Sequence, residues 1–184
     1  MRYLLIAMLA TLGTGCATMD NANGPATVQA ANLPAGSGVM LMSAGAQERC
    51  VSFATLLKLY RRENDGKDTL LRILSVDGYV MKSDFATHQG NVHAVALEEG
   101  EYILEQYAAN PYTMPVVPPR FAFTVTAGQV VYIGEYFMTR ACDKGTHAVV
   151  RDQGARDLAI AASRNPGLAR LPVVTRLAVL ERND

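Results

Sequence analysis

The residues of this 184-residue chain whose types could do chemistry beyond packing are first of all three cysteines and three histidines. The cysteines stand far apart, at Cys16, Cys50 and Cys142, and no Cys-x-x-Cys pair occurs. Thioredoxin-like redox chemistry is therefore disfavoured. The histidines are His88, His93 and His147. His88 and His93 lie five positions apart, which places them on opposite faces of a strand, and no dense cluster of Asp and Glu accompanies them. A zinc site needs three or four convergent ligands, so no metal site and no cofactor are expected. No Gly-x-Ser-x-Gly, Ser-x-x-Lys or His-Glu-x-x-His is present. The sequence assigns no catalytic residue, and the chain reads as non-enzymatic.

The first fifteen residues carry one positive charge at Arg2, the apolar run Leu4-Leu5-Ile6-Ala7-Met8-Leu9-Ala10, and small residues before Cys16. This is the pattern of a secretory signal peptide, and the run falls short of the roughly 20 apolar residues that span a bilayer. The segment Leu12-Gly13-Thr14-Gly15-Cys16 resembles the lipobox of bacterial lipoproteins, with its leucine one place early. That resemblance implies that the Cys16 thiol receives a diacylglycerol, that cleavage falls just before it, and that the new amino terminus is acylated with a chain such as palmitate. Two or more acyl chains anchor a protein stably. Ala17 stands where the family uses aspartate for inner-membrane retention, so the resemblance implies an outer membrane lipoprotein facing the periplasm.

With Cys16 lipidated, Cys50 and Cys142 remain, and two thiols in an oxidising periplasm are expected to pair. Such a disulfide closes a long loop and contributes on the order of 4–5 kcal/mol in the chain-entropy model. Two free thiols or a metal pair are the alternatives.

The elements that hold these residues follow from composition and pattern. The chain has 17 basic and 17 acidic residues; removing Arg2 with the signal leaves 16 against 17. A balanced surface does not attract polyanions, so nucleic acid is not an expected partner. Residues 17–37 are small and polar with no aromatic, a flexible tether following Cys16. One β-rich domain is expected over 38–184.

Apolar runs predict strands at Val39–Met42, Cys50–Tyr60, Thr69–Val76, Asn91–Leu97, Glu101–Tyr107, Arg120–Thr126 and Gln129–Phe137. Asp65-Gly66 predicts one hairpin turn, and Ala127-Gly128 predicts a second and stronger one. Ala155, Leu158, Ala159 and Ala162 fall at helical spacing behind a cap at Asp152, and Asn165-Pro166-Gly167 stops that helix. Residues 173–180 form a final strand that either closes the sheet or serves as a docking tail. The fold class is mainly β: a single antiparallel β-sandwich or partly open barrel with one C-terminal helix.

Leu97-Glu98-Glu99-Gly100-Glu101-Tyr102 and Thr126-Ala127-Gly128-Gln129-Val130-Val131-Tyr132-Ile133-Gly134 are similar to the turn-and-strand motifs of small bacterial envelope lipoproteins that carry a β-sandwich domain of unknown function. The resemblance covers residues 38–140 and implies fold and address, with no catalytic residues. Tyr102 and Tyr132 read as packing residues with hydroxyls at the rim.

One stretch offers a binding surface. Pro111, Tyr112, Met114, Pro115 and Pro118 lie in a proline-dense, apolar segment whose stiff backbone loses little entropy on docking. The plainer reading is a long crossover between strands. The basic residues Lys58, Arg61, Arg62 and Lys67, interleaved with Glu63, Asp65 and Asp68, read as a solvated hairpin tip.

Three functional readings follow, in order. The first is a membrane-anchored, non-enzymatic protein with a protein-binding or accessory structural role beside an envelope partner. The second is a small-ligand or glycan-binding module, which requires a pocket lined by several of Tyr60, Tyr79, Tyr102, Tyr107, Tyr112, Tyr132 and Tyr136. The third is a hydrolase with dispersed catalytic residues, which requires a cleft where a histidine meets a carboxylate and a Ser or Thr.

Overall fold

The computed structural model describes residues 33–47, 55–75, 82–108, 117–139 and 148–181. The signal peptide, Cys16, Cys50, Cys142, His147 and four of the proline-segment residues (Pro111, Tyr112, Met114 and Pro115) lie outside the described residues.

The strands in chain order are β1 (Ser37–Ala46), β2 (Thr55–Arg62), β3 (Asp68–Ser75), β4 (Gln89–Glu98), β5 (Gly100–Ala108), β6 (Arg120–Val125), β7 (Val130–Met138), β8 (Ala148–Arg151), β9 (Val173–Thr175) and β10 (Val179–Leu180). A helix, α1 (Gly154–Arg164), and a 3-10 turn at Pro166–Arg170 precede the last two strands. They form two five-stranded sheets. The first runs β4-β1-β7-β8, with β9 also on β7; the second runs β10-β6-β5-β2-β3. Among the described residues the chain is mainly β, a two-sheet sandwich with a single helix near the C-terminus.

Between the sheets lies the larger apolar core. It takes Met40, Met42 and Ala44 from β1 and Val131, Ile133 and Tyr136 from β7. Leu57 and Leu59 from β2, Tyr102 and Leu104 from β5, and Phe121 and Phe123 from β6 meet them. The second sheet shows the alternation of a one-sided sheet, with Leu57 and Leu59 buried and Lys58 and Tyr60 half-buried. The first sheet differs. Every residue of β1 and β7 is buried, because α1 and the 3-10 turn cover its outer face through Val39, Leu41, Val130, Tyr132, Ala161 and Leu168. Strands covered on both faces read as continuous apolar runs, as Val39-Met40-Leu41-Met42 does. Leu33, within the stretch read as tether, already rests on this outer cluster.

Pairing in the second sheet is antiparallel throughout. The first sheet adds two parallel pairings, β1 with β7 and β7 with β9. The Asp65-Gly66 hairpin forms as expected, closed by Glu63 N–H to the Lys67 carbonyl at 2.8 Å. The Ala127-Gly128 hairpin does not form. β6 and β7 belong to different sheets, so this turn is a corner that carries the chain from one layer to the other. Gly128 N–H donates to the Ser37 carbonyl (2.9 Å) and Val39 N–H to the Gln129 carbonyl (2.8 Å), so β7 leaves the corner pairing with β1. The close approach needs Gly38, where a Cβ would run into the Thr126 carbonyl oxygen.

Two further expectations are corrected. The final strand is two short ones on different sheets, with Ala178 crossing between them in the core. In α1 the buried positions are Asp157 and Ala161, whereas Ala155 and Ala159 are exposed. The helix is rotated relative to its apolar pattern because it turns a carboxylate inward. Gln153 is its N-cap and makes no side-chain cap; Asp152 instead accepts from Gly154 N–H at 2.9 Å.

Candidate functional site: a charged pocket beside the helix

The inward carboxylate of α1 meets a second one from β7. Strand alternation would place Tyr132 and Glu135 on opposite faces. The register between β1 and β7 shifts, however, so that Leu41 pairs Tyr132 and Ser43 pairs Glu135. The extra residue on β7 makes a bulge at Gly134, which holds a φ of +102° that side-chain-bearing residues rarely adopt. A Cβ there would lie 2.5 Å from Val150 Cγ1. The bulge turns Glu135 to the outer face beside Tyr132, while Ile133 and Tyr136 both face the core between the sheets.

Glu135 and Asp157 have no exposed side-chain surface. Burial of a carboxylate is tolerated only with partners, and both have several. Asp157 accepts from Ser43 Oγ at 2.6 Å, Tyr132 Oη at 2.9 Å and Arg156 Nε at 2.8 Å. Glu135 accepts from Arg151 Nη2 at 2.6 Å and Nε at 3.0 Å, and lies 3.0 Å from Arg156 Nη2. His88 Nε2 sits 2.8 Å from the Glu135 Oε1 atom, and Thr87 Oγ1 lies 3.1 Å from His88 Nδ1. Burial pushes the Glu135 carboxyl up, but the two guanidiniums outweigh it and hold the group below the usual glutamate range. Burial, reinforced by the charge of Asp157, pushes the Tyr132 phenol far up, so Tyr132 stays a neutral donor.

The cations are fixed as firmly as the anions. The Arg151 guanidinium lies 3.5 Å from the Phe137 ring centroid, and that of Arg156 3.9 Å from Phe85. His88 stacks on Phe85 (4.4 Å) and meets Phe137 edge-on. The segment carrying His88 is tied down by Ser83 Oγ, which accepts from the Phe85 and Gly90 amides, and by Asp84, which accepts from Val92 N–H and pairs with Arg164.

Above the cluster opens a cavity of about 300 Å³, lined by Gln47, Thr87, His88, Phe137, Arg151, Gln153 and Arg156. Its lining contains two guanidiniums, an imidazole and two primary amides, and its carboxylates lie beneath. One terminal nitrogen of each arginine has no hydrogen-bond partner among the described residues. Such a surface is a receptor for negative charge. It also contains a histidine between a carboxylate and a threonine.

Of the residues singled out from sequence, His88 lies in this pocket. His93 is fully buried on β4, and Pro118 is half-buried just before β6. Lipidation at Cys16, the Cys50–Cys142 bond and the remaining proline-segment residues fall outside the described residues. Tyr102, Tyr132 and Tyr136 are spent in the interior; the Tyr132 hydroxyl ends on Asp157 rather than at a rim. Sequence reading missed Glu135, Asp157, Arg151, Arg156 and Ser43. One signal was present: Glu135 interrupts the apolar run Val130–Phe137, and an acidic residue in a fully buried strand demands partners. A scan against protein-family models gives no match to this chain, and a comparison with curated proteins gives none either.

Proposed function

We propose that this chain is a lipid-anchored protein of the bacterial envelope, tethered through Cys16, whose domain is a non-enzymatic binding module. It holds an anionic group of an envelope ligand or partner in the pocket above Glu135. One observation carries the reading: Arg151 and Arg156 are both locked onto a carboxylate with no exposed surface and still line an open cavity beside His88. Cations held in place before the ligand arrives lose little entropy on binding. The test is titration of the full chain in detergent with acetate and with inorganic phosphate, followed by thermal unfolding. An anion-dependent rise in Tm that disappears in Arg151→Gln supports the reading, and no rise with either anion removes it.

A hydrolase is the second reading, favoured by the line Thr87, His88, Glu135 at 3.1 and 2.8 Å. It ranks lower because Glu135 is shared among three cationic or imidazole groups, which weakens it as a partner for one histidine. Thr87 is also the chain neighbour of His88, so the two move together. Turnover of a small ester that is abolished in Thr87→Val would reverse the ranking.

A further inference from the structure

Charge counting in the pocket narrows the ligand. Arg151 and Arg156 contribute two positive charges, and Glu135 and Asp157 two negative ones, all within one hydrogen-bonded cluster. The sum is zero, and His88 adds at most one positive charge. Asp152, just before the helix, is turned to the Gly154 amide. With His88 protonated the cluster carries one positive charge and matches a monoanion; a phosphate monoester dianion would leave one negative charge uncompensated.

The walls say what carries the anion. Gln47 and Gln153 present side-chain amides, each with donors and an acceptor. These are the complement of a peptide unit. A sugar acid would need an open aromatic face to stack on, and the Phe137 ring is already covered by Arg151 at 3.5 Å. Among the described residues, no acidic side chain lines the cavity to receive an ammonium. The volume of about 300 Å³ is at the small end of ligand pockets, which run roughly 300–1,000 Å³.

From this juxtaposition we infer that the pocket takes the terminal carboxylate of a short peptide, with Arg151 and Arg156 on the carboxylate and Gln47 and Gln153 on the preceding amide. The inference rests on the anion-binding reading above and goes further by naming the ligand class.

The test uses the full chain in detergent micelles and four probes by calorimetry: N-acetyl-alanyl-alanine, its C-terminal amide, glucuronate and inorganic phosphate. The expected result is binding of the free peptide acid at least tenfold tighter than the other three. Arg151→Lys, which keeps the charge but removes the fork, should weaken it about tenfold. Gln47→Ala, an exposed position, should weaken it several-fold with no change in Tm. Equal binding of the peptide amide, or tighter binding of glucuronate or phosphate, overturns the peptide inference; where the favoured probe is an anion and binding depends on Arg151, the anion reading stands. No response to any probe overturns both.

Discussion

Two clusters of opposite charges sit on the two outward faces of the sandwich, and they are built to different ends. On the second sheet, Arg62 reaches Glu181 at 2.6 Å and Asp68 at 3.8 Å, while Arg120 pairs with Asp68 and lies 3.5 Å from Glu181 and 3.8 Å from Glu105. The carboxylates there keep 20–22% of their side-chain surface in water. On the first sheet, Glu135 and Asp157 keep none. Where water can replace a lost partner, an ion pair contributes little and serves mainly to rivet Glu181, just after β10, to the sheet. Where it cannot, each partner is obligatory, and that obligation fixes the guanidiniums around the cavity.

Removing one carboxylate from each cluster separates the two. Glu135→Ala takes the shared anion from Arg151 and Arg156, which keep 38% and 29% of their side-chain surface in water, and should cost about 1.5–3 kcal/mol through the lost charged hydrogen bonds, whereas Glu105→Ala should cost about 0–1 kcal/mol. Denaturant midpoints at unchanged m-value decide it, and equal losses would refute the distinction. The same residue gives a pH signature. Because the folded-state carboxyl of Glu135 titrates below its unfolded value, its contribution is present above about pH 4.3 and is lost as pH falls through the lower folded value. The stability gap between wild type and Glu135→Gln should therefore be widest near neutral pH and close in acid.

Gly134→Ala should cost about 3 kcal/mol, from overpacking against Val150 and left-handed backbone strain of about 1–3 kcal/mol each. It should also weaken anion binding, since the bulge aims Glu135. Tyr132→Phe removes the hydroxyl that donates to Asp157 and accepts from Gln153 N–H, and should cost about 1–3 kcal/mol by chemical unfolding. The smallest effect is expected on the other face: Arg62→Gln should change stability by less than about 1 kcal/mol, and that difference should shrink in 1 M salt.

The sheets were legible in the sequence because burial writes itself as period. Phe121, Phe123 and Val125 alternate, and each faces the core. The Ala127-Gly128 corner was misread because a tight turn looks the same whether the next strand pairs beside the last or crosses to the other layer; that choice is made by Gly38 and Ser37, ninety residues earlier. The charged site was largely illegible for two reasons. Its groups come from four separate segments, around 43, 88, 135 and 156. The features that gather them also break the patterns on which reading depends: a bulge reverses the alternation of β7, and Asp157 takes a position that an apolar stripe would fill.

The parallel seam at the centre has a kinetic consequence. It joins Val39 to Val130 and then Val130 to Val173, contacts that close very long loops. Folding dominated by such distant pairings is slow, and β1 cannot find its permanent neighbour until most of the chain is present. A polypeptide delivered amino end first would hold β1, one of its most apolar strands, without that partner during most of its emergence. Its safety over that interval rests on the antiparallel partner β4, which lies closer along the chain and covers one edge of β1 while the other waits.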